Sequence, residues 1–180
     1  MLRGFSCLLL FAVLLGCSAP GEPPAPRSTD VRFTTTDVAW LQLADALHTR
    51  ALPVLELAED RAADRPLAGL AARLGDRHER ERARLRDLLA QARVTGENPH
   101  AAHDMPGMPT SDDLRTLTGS DGDAFDRRFA GLLRAYLDQS VLMAKGEQSA
   151  GGDREVRELA AVMEREHAAD LADLERIAPT

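Results

Sequence analysis

Cysteine is almost absent: Cys7 and Cys17 are the only two, both near the start of the chain. Downstream there is no thiol for a disulfide, a CxxC motif or a cysteine nucleophile, so the rest must stand on its apolar core. Aromatic residues make up only 4%, too few for base-stacking platforms. A net charge of −7 without a basic stripe further argues against nucleic acid as a partner. Glycine and proline cluster outside the periodic stretches, while alanine and leucine dominate. That composition favours helices over a β-sandwich. Catalytic signatures are missing as well: no Gly-rich phosphate loop, no Gly-x-Ser-x-Gly, no His-Glu-x-x-His. The expectation is a protein that is not an enzyme.

What is present begins with an address. Arg3 supplies a short positive region, and Leu8 to Leu15 is an apolar run too short to span a bilayer, which takes about 20 helical residues. The run ends in Leu14-Leu15-Gly16-Cys17, which resembles the bacterial lipobox. The resemblance implies a signal peptide over residues 1–16, cleavage before Cys17 and lipid on its thiol, so that the membrane is the partner. Such a chain is exported and held on the outer face of the cell membrane, or in the periplasm or outer membrane. Residues 17–33, rich in proline and small side chains, then form an extended tether. Charges of both signs coat the remaining helical faces, which suggests a monomer.

The chain also matches itself at a constant offset of 89 residues. Asp37, Trp40, Leu43 and Ala46 meet Asp126, Phe129, Leu132 and Ala135. Leu70-Ala71-Ala72, His78, Ala83 and Leu85 meet Leu159-Ala160-Ala161, His167, Ala172 and Leu174, and Glu81 meets Asp170. Paired histidines and an Asp-x-x-aromatic pair at one offset indicate a duplicated helical hairpin. Trp40, Leu43, Leu47, Ala51, Val54 and Ala58 recur at helical spacing, as do Phe125, Phe129, Leu132, Tyr136, Ser140 and Met143. Thr34-x-x-Asp37 and Asp123-x-x-Asp126 are read as helix caps. Pro53 should kink its helix rather than end it. Pro66 starts the second helix and Asp153 caps the last.

The expected architecture is all-α: a four-helix bundle over residues 34–178. The first hairpin covers 34–93, a long crossover 94–122, and the second hairpin 123–178, with a short helix near Ser111 to Leu117 in the crossover.

Gly107-Met108, Asp113-Leu114, Leu117, Phe125-Asp126-x-x-Phe129 and Met143-Ala144, with Asp37-Val38-Ala39-Trp40-Leu41-Gln42 earlier, resemble the bacterial secreted family filed as domain of unknown function three-zero-five. The resemblance covers nearly all of the chain after the tether. It implies a ferritin-like, duplicated bundle, often exported, with some members linked to copper handling. The family hallmark is a His-His pair in the middle of the first helix and another in the third. Here the matching positions are Leu47-His48 and Tyr136-Leu137, so of the hallmark only His48 carries over.

Two constellations could hold a metal. His78 and His167 lie on apolar stripes, each with an acid three residues on, Glu81 and Asp170. Antiparallel pairing about residue 63 levels His48 with His78, and pairing about residue 152 levels His167 with Leu137. Three imidazoles from three helices should therefore share one height, the ingredients of a metal site in a bundle. The alternative is a polar network in which each imidazole bonds its own acid. In the crossover, His100, His103, Met105 and Met108 offer imidazole and thioether, a set suited to copper. There the alternative is that the methionines are apolar plugs. Tyr136 and Trp40 read as core aromatics. The functional expectation is an extracytoplasmic lipoprotein that binds or buffers a copper-like transition metal. Its rival is a metal-free structural or interaction bundle.

Overall fold

The computed structural model describes residues 32–178; the segment read as a signal peptide, Cys17 and nearly all of the segment read as a tether lie outside them. Among the described residues every regular element is helical: α1 Thr35–Arg61, α2 Arg65–Gln91, α3 Ser111–Thr118, α4 Gly122–Ala150 and α5 Arg154–Ile177. The turns within the hairpins are short, residues 62–64 and 151–153, which makes each pair antiparallel neighbours. α1 packs along α2 and α4 along α5. The two pairs meet chiefly through α1 and α4, while α2 and α5 touch more sparsely.

Local chemistry explains where the helices start. Thr34 and Asp37 form a reciprocal capping box, the Asp37 N–H donating to Thr34 Oγ1 at 3.3 Å and the Thr34 N–H to Asp37 Oδ2 at 2.6 Å. Asp64 caps α2 through the Leu67 N–H at 2.8 Å, with Pro66 in the first turn where a missing N–H costs nothing. Asp153 accepts from Glu155 and Val156. Pro53 sits inside α1 on its exposed face, so the carbonyl it leaves without a donor can turn to water.

One capping expectation fails. α4 begins at Gly122, a residue before Asp123, and its N-cap Asp121 makes no side-chain capping bond. The partner acid, Asp126, reaches across the bundle instead and accepts the Ala63 and Asp64 N–H groups at 3.0 and 2.9 Å. Asp37 does the same in the other direction, accepting from Gly152 and Asp153 at 2.9 and 3.1 Å. Each repeat thus clasps the turn of the other, which is the structural meaning of the shared Asp-x-x-aromatic motif. In the second copy the clasp is tight. A Cβ on Gly152 would overlap Thr34 Cγ2.

The crossover lies on α1 and α4. Asn98 donates to the Gln42 carbonyl at 2.7 Å, and Arg50 to the Pro109 carbonyl at 2.9 Å. Gly107, at φ 75°, passes so close to α4 that a Cβ would collide with the Ala135 carbonyl and Gln139.

The apolar interior falls into two clusters. One gathers Leu47, Leu70, Leu74, Phe125, Phe129 and Leu174; the other gathers Trp40, Leu85, Leu88, Val156 and Met163. Between them, at mid-height, the interior is polar.

Candidate metal centre

Three helices feed that polar layer. α1 supplies His48, α2 His78 and Glu81, and α5 His167, all buried; their exposures are 1%, 0%, 8% and 0%. One ligand atom from each lies within 4.8 Å of every other. The levels read from the antiparallel turns therefore meet in space. Among the described residues this is the one such group of histidines and acids.

Glu81 is the hub. Its Oε2 lies 2.7 Å from His48 Nε2, 3.0 Å from His78 Nδ1 and 3.6 Å from His167 Nε2. The His48 and His78 rings stack with centroids 4.1 Å apart. Tyr136, from α4, closes the group: its hydroxyl lies 2.9 Å from His48 Nδ1 and 2.7 Å from His78 Nε2. Tyr136 is a core aromatic by burial, but its oxygen belongs to the site, and sequence reasoning missed that. The signal was its alignment with one of the family's hallmark histidine positions.

Burial lowers the affinity of His48 for a proton, although Glu81 pulls the other way. For His78, burial and then the neighbouring His48 bring the pKa down to about 3. Glu81 shifts oppositely: burial alone would raise it, yet His167, His48 and His78 hold it far below the carboxylate range. Burial, then the Glu81 charge, push the Tyr136 phenol well above its ordinary value. These directions favour a carboxylate, a neutral phenol, and imidazoles at positions 48 and 78 that carry one proton each.

That state is one proton short. Tyr136, His48, Glu81 and His78 make a ring of four hydrogen-bond contacts. Two imidazole N–H groups and one phenol O–H fill three of them. If both imidazoles donate to Glu81, two bare nitrogens face a phenol that can donate to only one. Both nitrogens of the fully buried His167 lack a hydrogen-bond partner, as does Glu81 Oε1. Orphaned buried groups of this kind are rare and costly.

The other candidates are placed differently. Asp170 turns away from His167 to pair with Arg77, so the imidazole–acid pairing that holds for His78 does not form there. A guanidinium is the stronger, two-pronged partner for a carboxylate. In the crossover, His103 is exposed and His100 half-buried, with ring centroids 6.3 Å apart. Met108 is buried in the core and Met105 packs against it, as apolar plugs would.

A helical bundle with imidazoles and a carboxylate converging at its centre belongs to the class of all-α proteins built around a buried polar layer. The sequence model for a domain of unknown function, DUF305, matches residues 37–178, and the chain belongs to that family. Two crystal structures share its fold. One is a DUF305 protein of Streptomyces coelicolor, named by inference as secreted, at 20% identity and TM-score 0.70, covering 78% of this chain and 89% of that one. The other is a DUF305 fragment from Deinococcus radiodurans at 18% identity and TM-score 0.70, covering 81% and 96%. No curated protein matches the chain.

Proposed function

We propose that the chain is an exported lipoprotein whose bundle centre binds and buffers one transition-metal ion, copper-like in its ligand preferences, without catalysing a reaction. The observation that carries this is the convergence of His48, His78, His167 and Glu81 with His167 left unpartnered. Three imidazoles and one carboxylate suit copper(II) and zinc, and copper(II) binds most tightly in the divalent series. Metal–ligand bonds near 2.0–2.1 Å imply tetrahedral ligand spacings of roughly 3.3 Å. The three spacings to Glu81 Oε2, at 2.7, 3.0 and 3.6 Å, bracket that value.

The donor set also fits by proton count. With His48 Nε2, His78 Nδ1, His167 Nε2 and Glu81 Oε2 turned to a cation, the far N–H groups of His48 and His78 both donate to the Tyr136 oxygen. The phenol proton can then turn to Ser140, one turn on, whose buried hydroxyl otherwise lacks a partner. Ligand imidazoles usually donate their second nitrogen in this way. The signal-like N-terminus and the secreted relative support export. No described helix is long and apolar enough to cross a membrane; the lipobox-like Leu14-Leu15-Gly16-Cys17 supports a lipid anchor on Cys17. Nothing in the site calls for nucleic acid, and the charged surface fits a monomer.

The closed contacts among Tyr136, His48, His78 and Glu81 favour a second reading, a metal-free polar layer that fixes the register of the helices. Loading the full chain with copper(II) or zinc, dialysing, and measuring metal per chain separates the two. The metal reading expects one ion per chain, lost when His78→Ala and His167→Ala are combined. A chain that retains no ion supports the structural layer. Mass spectrometry of the mature N-terminus tests the anchor: an unmodified cysteine there would remove the lipid.

A further inference from the structure

The metal centre has an asymmetric mouth. Of its four candidate ligands Glu81 is the most exposed, at 8%, and none of the imidazoles exceeds 1%. Its Oε2 faces the imidazoles, and its Oε1 has no hydrogen-bond partner. Lying against that second oxygen is Arg77, with Nε 3.9 Å from Glu81 Oε1. The Arg77 side chain crosses from α2 to α5, where it pairs with Asp170 and brings Nε within 3.7 Å of Glu166 Oε2. Its Nε is buried and makes no hydrogen bond. The guanidinium thus spans the seam between α2 and α5, which pack more sparsely than α1 and α4 do. Three carboxylates flank it: Glu81 from α2, and Glu166 and Asp170 from α5.

We propose that metal cations enter and leave the centre through this α2–α5 seam, and that Arg77 is its gate. The inference rests on the metal-site reading and concerns how the site fills. Three acids at one mouth attract a cation. The single guanidinium among them offsets only part of their charge and occupies the passage. Arginine stays protonated in a protein, so Arg77 cannot step aside by losing its charge and must swing outward. Swinging outward uncovers Glu81 Oε1 and frees Asp170, giving the ion two oxygens on its way to the imidazoles.

The repeat shows how the gate arose. At the offset of 89 residues, Arg77-His78-x-x-Glu81 corresponds to Glu166-His167-x-x-Asp170. One position holds a cation in one copy and an anion in the other, so the two face each other across the seam.

The test is stopped-flow mixing of the full chain with cobalt(II), read by the visible absorbance of the bound ion, followed by a chelator chase for release. Arg77→Ala and the milder Arg77→Gln should both take up and release cobalt about tenfold faster, with one ion per chain as in the unaltered protein. Arg134→Ala, which removes a bridge to Glu175 between α4 and α5, should leave both rates unchanged. Unaltered rates in both Arg77 variants, with cobalt bound, would overturn the gate and leave the metal centre standing. Equal acceleration by Arg134→Ala would overturn it too, because general loosening would then suffice. If the unaltered chain retains neither cobalt nor copper(II) nor zinc, the metal centre and its gate fall together.

Discussion

Asp37 in the first hairpin and Asp126 in the second stand 89 residues apart in sequence and perform the same task, each accepting two backbone N–H groups from the turn of the opposite hairpin. At mid-height the same two copies diverge. The first contributes His48, His78 and Glu81 to the centre; the second contributes His167 and the Tyr136 hydroxyl, while its acid Asp170 faces Arg77. Duplication preserved what holds the hairpins together and released what lies between them. The clasps fix backbone, which tolerates few alternatives. The layer is made of side chains, which exchange partners once one neighbour changes charge.

The largest difference should appear in metal retention. Replacing His167 by Leu, the residue type that occupies the level of Leu137, should lower affinity at least a hundredfold while the bundle stays folded, since an unpartnered imidazole gives way to an apolar side chain. Equilibrium dialysis with circular dichroism checks both halves of that statement. Retention equal to the unaltered chain would remove His167 from the ligand set.

Next come the clasps. Asp37 is fully buried and binds Thr34 as well as the turn, whereas Asp126 is half-exposed. Urea unfolding should show Asp37→Ala costing about 3 kcal/mol and Asp126→Ala about 1 kcal/mol. Equal losses would mean that burial does not separate the two copies.

A smaller effect distinguishes the ends by pH. Glu147 is buried, with both carboxylate oxygens unpartnered. Burial, then the adjacent Asp37, raise its pKa to about 8. The unfolded chain releases this proton near 4.5 and the folded chain keeps it to about 8. Its contribution to stability is therefore most favourable below pH 4.5, declines across that window and is flat above it. Asp37, held low despite its burial by Thr34 and the Asp153 amide, acts in the opposite sense, and its contribution fades as pH falls through the carboxylate range. Glu147→Gln should raise stability on the order of 2 kcal/mol at pH 9 and change little at pH 4. No Glu147 counterpart exists in the first copy, where the offset falls on Ala58.

The smallest effect sharpens the contrast between layer and loop. His103→Ala in the exposed crossover should leave the metal count unchanged and stability within about 0.5 kcal/mol. A falling metal count would move the site to the crossover.

Much of this was legible beforehand because helices obey a fixed period. The spacing of Trp40, Leu47, Ala51 and Val54 defined one buried stripe, and the three-residue turns set which side chains share a height. His48, His78 and His167 could be levelled by counting from residues 63 and 152. Counting failed where a side chain had a choice of partner. Asp126 looks like a cap in the linear chain because the Ala63 amide is invisible until the hairpins pack. Tyr136 looks like core because burial and hydrogen bonding at its tip are separate properties.

The sequence alone determined the helices, their order, the duplication and the convergence of three imidazoles, since these follow from periodicity and turn length. Only the tertiary structure decided that Glu81 turns inward and Asp170 outward, that Tyr136 bridges two imidazoles, and that Arg77 lies across the seam. Those choices are contests between neighbouring charges a few ångströms apart, and an acid's pairing is settled only when every competitor has been placed beside it.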